Sequence, residues 1–254
     1  MQHQDNIAYI TEFVRRYDYP RFCTVLFAPA SARSALLSLL AFNIEIARVP
    51  DTASEPITAA IRLQWWRDAL QEIERGVKVR EHAVVEELAA LHAAGRLDFA
   101  SLHSMIEARA DEAEQVIDWS NRQQVEHFIA HTAGALNHAM AAVQCAEDTP
   151  AMVGIGLAYG ASGLMMQALL SGDEMRAAQL RSWCREWLEQ AYKKAAGLDK
   201  AQRYLLLQIN LSAFNDSVCS CYSGNLAAIA NKAQSRMLPC YMSWWSIKNA
   251  LTRR

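Results

Sequence analysis

Apolar residues recur with helical spacing along almost the whole chain. In the segment that ends at Gly76, for example, Leu63, Trp66, Leu70 and Ile73 share one face, because about 100° per residue brings every third and fourth side chain together. Gly76 follows the last turn and is typical of a residue that ends a helix. This pattern predicts a protein built of helices.

Helical stretches are predicted wherever this spacing lies between prolines, glycines and capping residues. Pro20 is predicted to end the first helix, Ser31 to cap the second, and Asp98 and Asp148 to cap later ones. The predicted helices cover residues 5–17, 31–49, 57–75, 82–94, 99–120, 122–145, 150–170, 174–196, 200–222 and 225–252, with connections at residues 21–29 and 50–56.

The chain is predicted to form a single domain. No linker rich in Gly or Ser divides it, and no repeat is apparent. We therefore expect an all-α, single-domain bundle of eight or nine helices over residues 1–254. The most apolar stretch, residues 151–170, contains Gly, Ser and Gln and is predicted to be a buried core helix rather than a membrane span. Gly160 and Gly163 within it are predicted to allow close helix packing.

Composition restricts the classes of partner. The 25 basic and 27 acidic residues give a net charge of −2, whereas nucleic-acid-binding proteins carry a basic excess, so no nucleic-acid partner is expected. The first residues show neither a secretory nor a transit-peptide pattern. The six cysteines are therefore expected to be free thiols in a reducing compartment.

Three stretches resemble the squalene/phytoene synthase family. Residues 62–70, RLQWWRDAL, are the most specific, because two adjacent tryptophans in a fixed polar pattern rarely recur by chance. The others are residues 27–42, which include Arg33, and residues 131–136, HTAGAL, which begin at His131. The resemblance spans most of the chain and weakens after about Gly172. It implies the isoprenoid-synthase (terpenoid synthase) fold.

Within that family the chain looks closest to one branch. Residues 41–49 (AFNIEIARV), 54–56 (SEP) and 62–66 resemble the branch of mitochondrial complex I assembly factors and their bacterial relatives. The resemblance to this branch implies a role in the assembly of respiratory complex I, with a protein partner, and no prenyl transfer.

Catalytic members of the family hold Mg²⁺ between acidic side chains of two helices, where the metal neutralises an allylic diphosphate. At the first acidic motif, Ala47 and Arg48 stand where acids belong, and only Asp51 remains. Ile44 occupies the place of a diphosphate-binding arginine. The resemblance therefore implies that this motif has lost its metal-binding function.

The second motif is altered as well. Gly163 and Met166 stand at the positions of a Gln and an Asn, and the two acids fall on Leu170 and Glu174. We therefore expect a non-catalytic protein without a cofactor. The residual metal positions are Asp51 and Glu174. The candidate substrate-binding residues are Arg33, Arg62, Gln64, Trp66 and His131.

Alternatives remain open at this point. One is a divergent head-to-head prenyltransferase that uses Mg²⁺ and acts on farnesyl or geranylgeranyl diphosphate. Another is an isoprenoid or lipid ligand bound in the former substrate cavity without turnover. His127, His131 and His138 share a helix face and could bind a transition metal or line a cavity. Arg62 and Arg67 beside the tryptophan pair could serve a ligand site or form surface ion pairs.

The expected location follows from the same resemblance. We expect a cytoplasmic bacterial protein with at most peripheral contact with the inner membrane, or a protein on the matrix side if the source is an organelle. Trp244 and Trp245, near a basic end, could rest at a membrane interface or close the core.

Overall fold

The computed structural model describes residues 2–53, 55–144, 150–194, 198 and 203–221. Every regular element in these ranges is helical, which confirms the all-α class. The helices are α1 (Gln2–Tyr17), α2 (Tyr19–Val25), α3 (Arg33–Ala47), α4 (Val49–Thr52), α5 (Pro56–Glu74), α6 (Ala83–Ala93), α7 (Phe99–Ala113), α8 (Arg122–Ile129), α9 (Ala135–Ala142), α10 (Pro150–Leu170), α11 (Glu174–Lys194) and α12 (Leu206–Cys221).

Helix α10 lies at the centre of the bundle. It contacts α8, α9, α11 and α12, and its side chains are apolar around most of its circumference, as expected for a helix that packs against several neighbours. The predicted bounds of this helix, residues 150–170, are confirmed. The buried apolar side chains of the other helices join those of α10 in one cluster.

A π-helical segment, Ala130–Gly134, connects α8 to α9 and packs directly on α10. A Cβ atom added to Gly156 of α10 would lie 2.6 Å from the Cα atom of Gly134, which is far inside van der Waals contact. Gly160 likewise leaves no room for a Cβ atom beside Ile129. Gly156 therefore permits a close approach of two backbones, and Gly160 makes room for the Ile129 side chain.

Gly163 does not follow the predicted pattern. A Cβ atom there would have nothing within 4 Å, so close helix packing does not require this glycine. The prediction for Gly160 is confirmed, and the prediction for Gly163 was wrong because Gly163 faces open space. Periodicity alone cannot distinguish these two positions, since both lie on the same helix.

The predicted connection over residues 21–29 was wrong in its first part, because α2 occupies Tyr19–Val25. Asp18 caps this helix by accepting a hydrogen bond from the Arg21 backbone N–H at 3.2 Å. Pro20 lies in the first turn, where a missing N–H has no structural cost. Pro50 plays the same part in the one-turn helix α4, so the predicted break at residues 50–56 begins only at Ala53.

The predicted start of α3 and the predicted end of α7 were also wrong. Helix α3 follows a short 3₁₀ turn, Ala30–Ala32, so Ser31 is not its cap. Helix α7 ends at Ala113 rather than at residue 120, because Gln115 adopts a left-handed conformation with φ of 57°. The Val116 N–H then bonds to the Asp111 carbonyl, which is the hydrogen bond of a Schellman ending.

Other predicted ends are confirmed. Asp98 caps α7 by accepting a hydrogen bond from the Ser101 N–H at 3.3 Å, and Gly76 ends α5 with a φ of 62°. Cys23 and Cys184 are buried and form no disulfide bond among the described residues. The predicted cap Asp148, the predicted helix over residues 225–252 and the pair Trp244 and Trp245 lie outside the described residues.

Two helical segments, Ala30–Ala47 and Ala151–Leu170, are long and apolar enough to cross a bilayer by length and composition. Within the fold, 67% of the first and 56% of the second are buried against other helices. The core helix of a globular bundle meets the same criteria, so these segments are weak support for a membrane span.

Replacing Gly156 with Ala is expected to destabilise the protein by about 2 kcal/mol, because the new methyl group meets backbone atoms that cannot move aside. The matched control is Gly154→Ala on the same helix, whose nearest neighbours would lie at 3.7 Å and 3.9 Å. The control is expected to stabilise by roughly 0.5–1 kcal/mol through helix propensity. Chemical denaturation measures both, and equal effects would contradict the close approach.

Candidate functional site

A central cavity of about 190 Å³ lies between the first acidic motif and the part of α10 that includes Gly163. Helices α3 and α4 contribute Ala47 and Asp51 on one side, and α10 contributes Gly163 and Gln167 on the other. Helices α7 and α8 and the π-helical segment close the remaining walls. The alignment of the motifs inferred from the sequence therefore brings Ala47, Asp51 and Gly163 to one cavity.

The other second-motif positions do not reach this cavity. Met166 is buried elsewhere, and Leu170 is exposed at the end of α10. Glu174 is exposed in the first turn of α11, beyond the turn at Gly172, and is not among the residues that line the cavity. Asp51 and Glu174 were predicted as residual metal positions, and the structure does not bring both of them to the cavity.

Two arginines line the cavity, and each forms an ion pair with a nearby acidic side chain. Arg21 forms an ion pair with Asp18, whose side chains are 12% and 10% exposed. Arg109 forms a second pair with Glu112 at 2.6 Å, with side chains 16% and 20% exposed. In both cases an acid within the same part of the fold already neutralises the guanidinium group. Neither arginine therefore offers its full charge to a diphosphate.

Tyr159 lines the same cavity with Arg21 near its ring, 5.3 Å from the centroid. Burial raises the pKa of the Tyr159 phenol, and the nearby Asp18 charge raises it further, while Arg21 opposes both. The phenol therefore stays protonated at neutral pH and can donate a hydrogen bond, but it cannot serve as a base there.

The residues at this cavity do not fit the magnesium cluster that the family resemblance implies. Mg²⁺ prefers several oxygen ligands in an octahedral arrangement, and prenyl synthases supply them from acids on two helices. Here Ala47 replaces such a ligand, Leu170 and Glu174 do not line the cavity, and Glu112 is engaged by Arg109. In the described part of the chain, no group of three or more His, Cys, Asp or Glu side chains could hold a metal ion.

The candidate residues Arg62 and Trp66 line a different, larger concavity of about 600 Å³ on the outer side of α3, α4 and α5, which we call the outer groove. Arg62 donates to the Thr52 hydroxyl at 2.9 Å. Trp66 is buried and packs edge-on against Phe42, with ring centroids 5.3 Å apart. Trp66 therefore belongs to the core, whereas Arg62 bonds to a hydroxyl group and does not form, within the described residues, the surface ion pair that was one of its two predicted roles.

The remaining candidate substrate-binding residues are exposed and bonded locally. Arg33 donates to the Ala28 carbonyl at 3.0 Å, and Gln64 donates to Asp68 at 2.7 Å. Arg67, beside Gln64, forms the expected surface ion pair, with Glu107 at 2.7 Å. A substrate-binding role for these candidate positions stays a prediction.

His131 lies on the surface beside His127, with ring centroids 4.1 Å apart. Its Nδ1 atom shares a hydrogen bond of 2.6 Å with the Ser104 hydroxyl. Burial lowers the pKa of His131, and the neighbouring His127 lowers it further, so the neutral ring is favoured. His131 is not among the residues that line the central cavity.

Sequence reasoning missed the two arginine–acid pairs in the cavity. Each pair is separated by three residues along the chain, which is the spacing of an ordinary surface pair on a helix. The sequence signal was therefore present but not specific. Burial between helices, which only the tertiary structure shows, distinguishes Asp18 and Arg21 from the exposed pair Glu12 and Arg15 of the same type.

The helical bundle and its central cavity define the architecture of the isoprenoid synthases. Two solved structures share it. A dehydrosqualene synthase in complex with a ligand superposes with a TM-score of 0.76 at 12% identity, covering 99% of this chain and 98% of that one. A squalene synthase from Alicyclobacillus acidocaldarius gives 0.69 at 13% identity, covering 86% and 94%. At these identities the likeness confirms the predicted fold.

The chain belongs to the squalene/phytoene synthase family, which matches residues 14–167. Among characterised relatives, human NADH dehydrogenase (ubiquinone) complex I, assembly factor 6, is 37% identical over 65 residues, or 26% of this chain. The Drosophila melanogaster homolog of that factor is 30% identical over 101 residues, or 38% of this chain. These matches span 20% and 30% of the relatives' own lengths.

Replacing Asp18 with Asn is expected to destabilise the protein by about 3 kcal/mol, because the Arg21 charge is then left buried without its acid. The matched control is Glu12→Gln, which breaks an exposed Glu–Arg pair of the same spacing in α1. Thermal and urea unfolding should show no measurable change for the control. A similar small effect for Asp18→Asn would contradict the burial of the cavity pair.

Proposed function

We propose that this protein is a non-catalytic member of the squalene/phytoene synthase family that supports the assembly of respiratory complex I. The observation that carries the proposal is the set of residues that line the central cavity. Ala47 lines the cavity at the position of a family acid and Gly163 at the position of a family Gln, and the two arginines that line the cavity are neutralised by Asp18 and Glu112.

The size of the cavity supports the same conclusion. Sites that enclose ligands of drug size have volumes of roughly 300–1,000 Å³, and this cavity has a volume of about 190 Å³. A farnesyl or geranylgeranyl chain with its diphosphate needs more space than this. A protein partner is therefore favoured over an isoprenoid or lipid ligand held inside the bundle.

The relatives support the assembly role. Both the human and the fly relatives are named as complex I assembly factor 6 or its homolog. An assembly factor must contact proteins of the complex and work where that complex is inserted. We therefore propose a protein partner and a peripheral position at the membrane in which complex I is built.

The second candidate function is a divergent head-to-head prenyltransferase, which the family membership and the fold favour. It requires a metal cluster that neutralises the leaving diphosphate. Incubation of the purified full-length protein with farnesyl diphosphate, Mg²⁺ and NADPH, followed by extraction, is expected to give no squalene or presqualene product. Turnover above that of a heat-inactivated sample would overturn the non-catalytic assignment.

Deletion of the gene in the source organism tests the proposed role in complex I assembly. Complex I activity and the amount of assembled complex are expected to fall severalfold, while sterol, hopanoid and carotenoid contents stay at wild-type levels. Re-expression of the wild-type chain is expected to restore complex I. Normal complex I with altered isoprenoid products would contradict the assembly role and favour the enzyme.

A further inference from the structure

The outer groove and the central cavity lie on opposite sides of the same helical wall. Ala47 and Asp51 face the cavity, whereas Arg48 and Thr52, one residue further along, face the groove. A shift of one residue turns a helical side chain by about 100°, which accounts for the separation. Arg48, which replaces an acid of the family motif, therefore contributes to the groove and not to the former substrate cavity.

The groove has a rigid aromatic wall. The Arg80 guanidinium lies 4.7 Å from the centroid of the Trp65 ring, and Arg80 also donates to the Trp65 carbonyl at 3.2 Å. Trp66 and His82 pack edge-on against the same ring at 4.9 Å and 5.5 Å. Glu72 holds Arg80 through an ion pair. Because Trp65 is already ordered, a ligand that contacts it loses little additional side-chain entropy on binding.

The rim of the groove is apolar and exposed. Ile61 lines the groove and is 64% exposed, and Ile57, one turn earlier on α5, is 62% exposed. An exposed isoleucine pair next to an ordered tryptophan provides the kind of surface that binding hot spots use. This rim favours a partner that brings an apolar side chain to the wall.

The charges of the groove favour an anionic partner. Arg48 and Arg62 both line it, and neither forms an ion pair with an acid in the described ranges. Arg48 lies over the Tyr17 ring at 4.0 Å, and Arg62 is bonded to Thr52. Glu45 is the acid among the lining residues, and it is half-buried. Two guanidinium groups therefore face one partly covered carboxylate.

We propose that the outer groove binds an acidic peptide segment of a protein partner. The segment places an apolar side chain against Trp65 and Ile61 and its carboxylates on Arg48 and Arg62. A membrane surface fits less well, because anionic lipid attracts clusters of several basic side chains, whereas this concave site combines two arginines with Glu45. The proposal rests on the assembly role above and assigns a surface to it.

Binding to short fluorescein-labelled peptides tests the proposal. Each peptide carries one central Trp, Phe or Leu, flanked by acidic residues in one series and by lysines in the other, and anisotropy measures affinity for the full-length protein. The acidic series is expected to bind in a salt-sensitive manner. The double variant Arg48→Gln/Arg62→Gln is expected to weaken binding about tenfold or more. The matched control Arg75→Gln removes an exposed arginine at the end of α5 and is expected to leave binding unchanged.

A separate variant tests the apolar contact at Ile61. Ile61→Ser changes an exposed side chain, so folding is unaffected, and it is expected to weaken the acidic peptides severalfold. Circular dichroism and the thermal midpoint confirm that each variant is folded. Co-sedimentation with phosphatidylserine-containing vesicles is measured for the same variants. Four results would overturn the proposal: no binding by the acidic series, equal binding by the lysine series, no loss of peptide binding in the double variant, or a loss in that variant of vesicle binding alone.

Complementation separates this proposal from the assembly role itself. In the deletion strain, the double arginine variant is expected to leave complex I activity low, whereas Arg75→Gln restores it. If deletion lowers complex I but the double variant restores it fully, the assembly role stands and the groove is not its binding surface. If deletion leaves complex I unchanged, the assembly role fails independently of the peptide result.

Discussion

The backbone contact between α10 and the π-helical segment sets the position of everything around the central cavity. Gly156 lies so close to Gly134 that a single added carbon would overlap the backbone. This contact fixes the rotation of α10, and the rotation directs Tyr159 and Gly163 toward Ala47 and Asp51. Because packed interiors resist small changes in volume, the geometry of the cavity follows from this one approach.

Charge is distributed differently on the two sides of the α3–α4 wall. Inside, Arg21 and Arg109 are matched by Asp18 and Glu112, so the cavity presents little net charge to a ligand. A buried arginine requires such an acid, because an isolated charge in the interior is costly. Outside, solvent screens the groove arginines and no internal acid is needed. The scaffold thus keeps the fold of a diphosphate-binding enzyme while its available cations face outward.

Much of the fold could be predicted from the sequence. The apolar spacing in α5 and α10 and the caps at Asp98 and Gly76 are local signals, and their predictions were confirmed. The errors came from residues whose local preference is ambiguous. Gln115 ends α7 in a left-handed conformation that glycine usually adopts, so the residue type did not predict a helix end there.

The sequence by itself determined the family, and residue identity alone shows that the side chain of Ala47 cannot ligate a metal. Only the tertiary structure decided which side chains meet. Arg62 and Trp66 belong to the strongest family motif, yet they line the outer groove, because a short offset along a helix moves a side chain to another face. Contacts between distant helices depend on how those helices are rotated and packed, and no local pattern along the chain encodes that rotation.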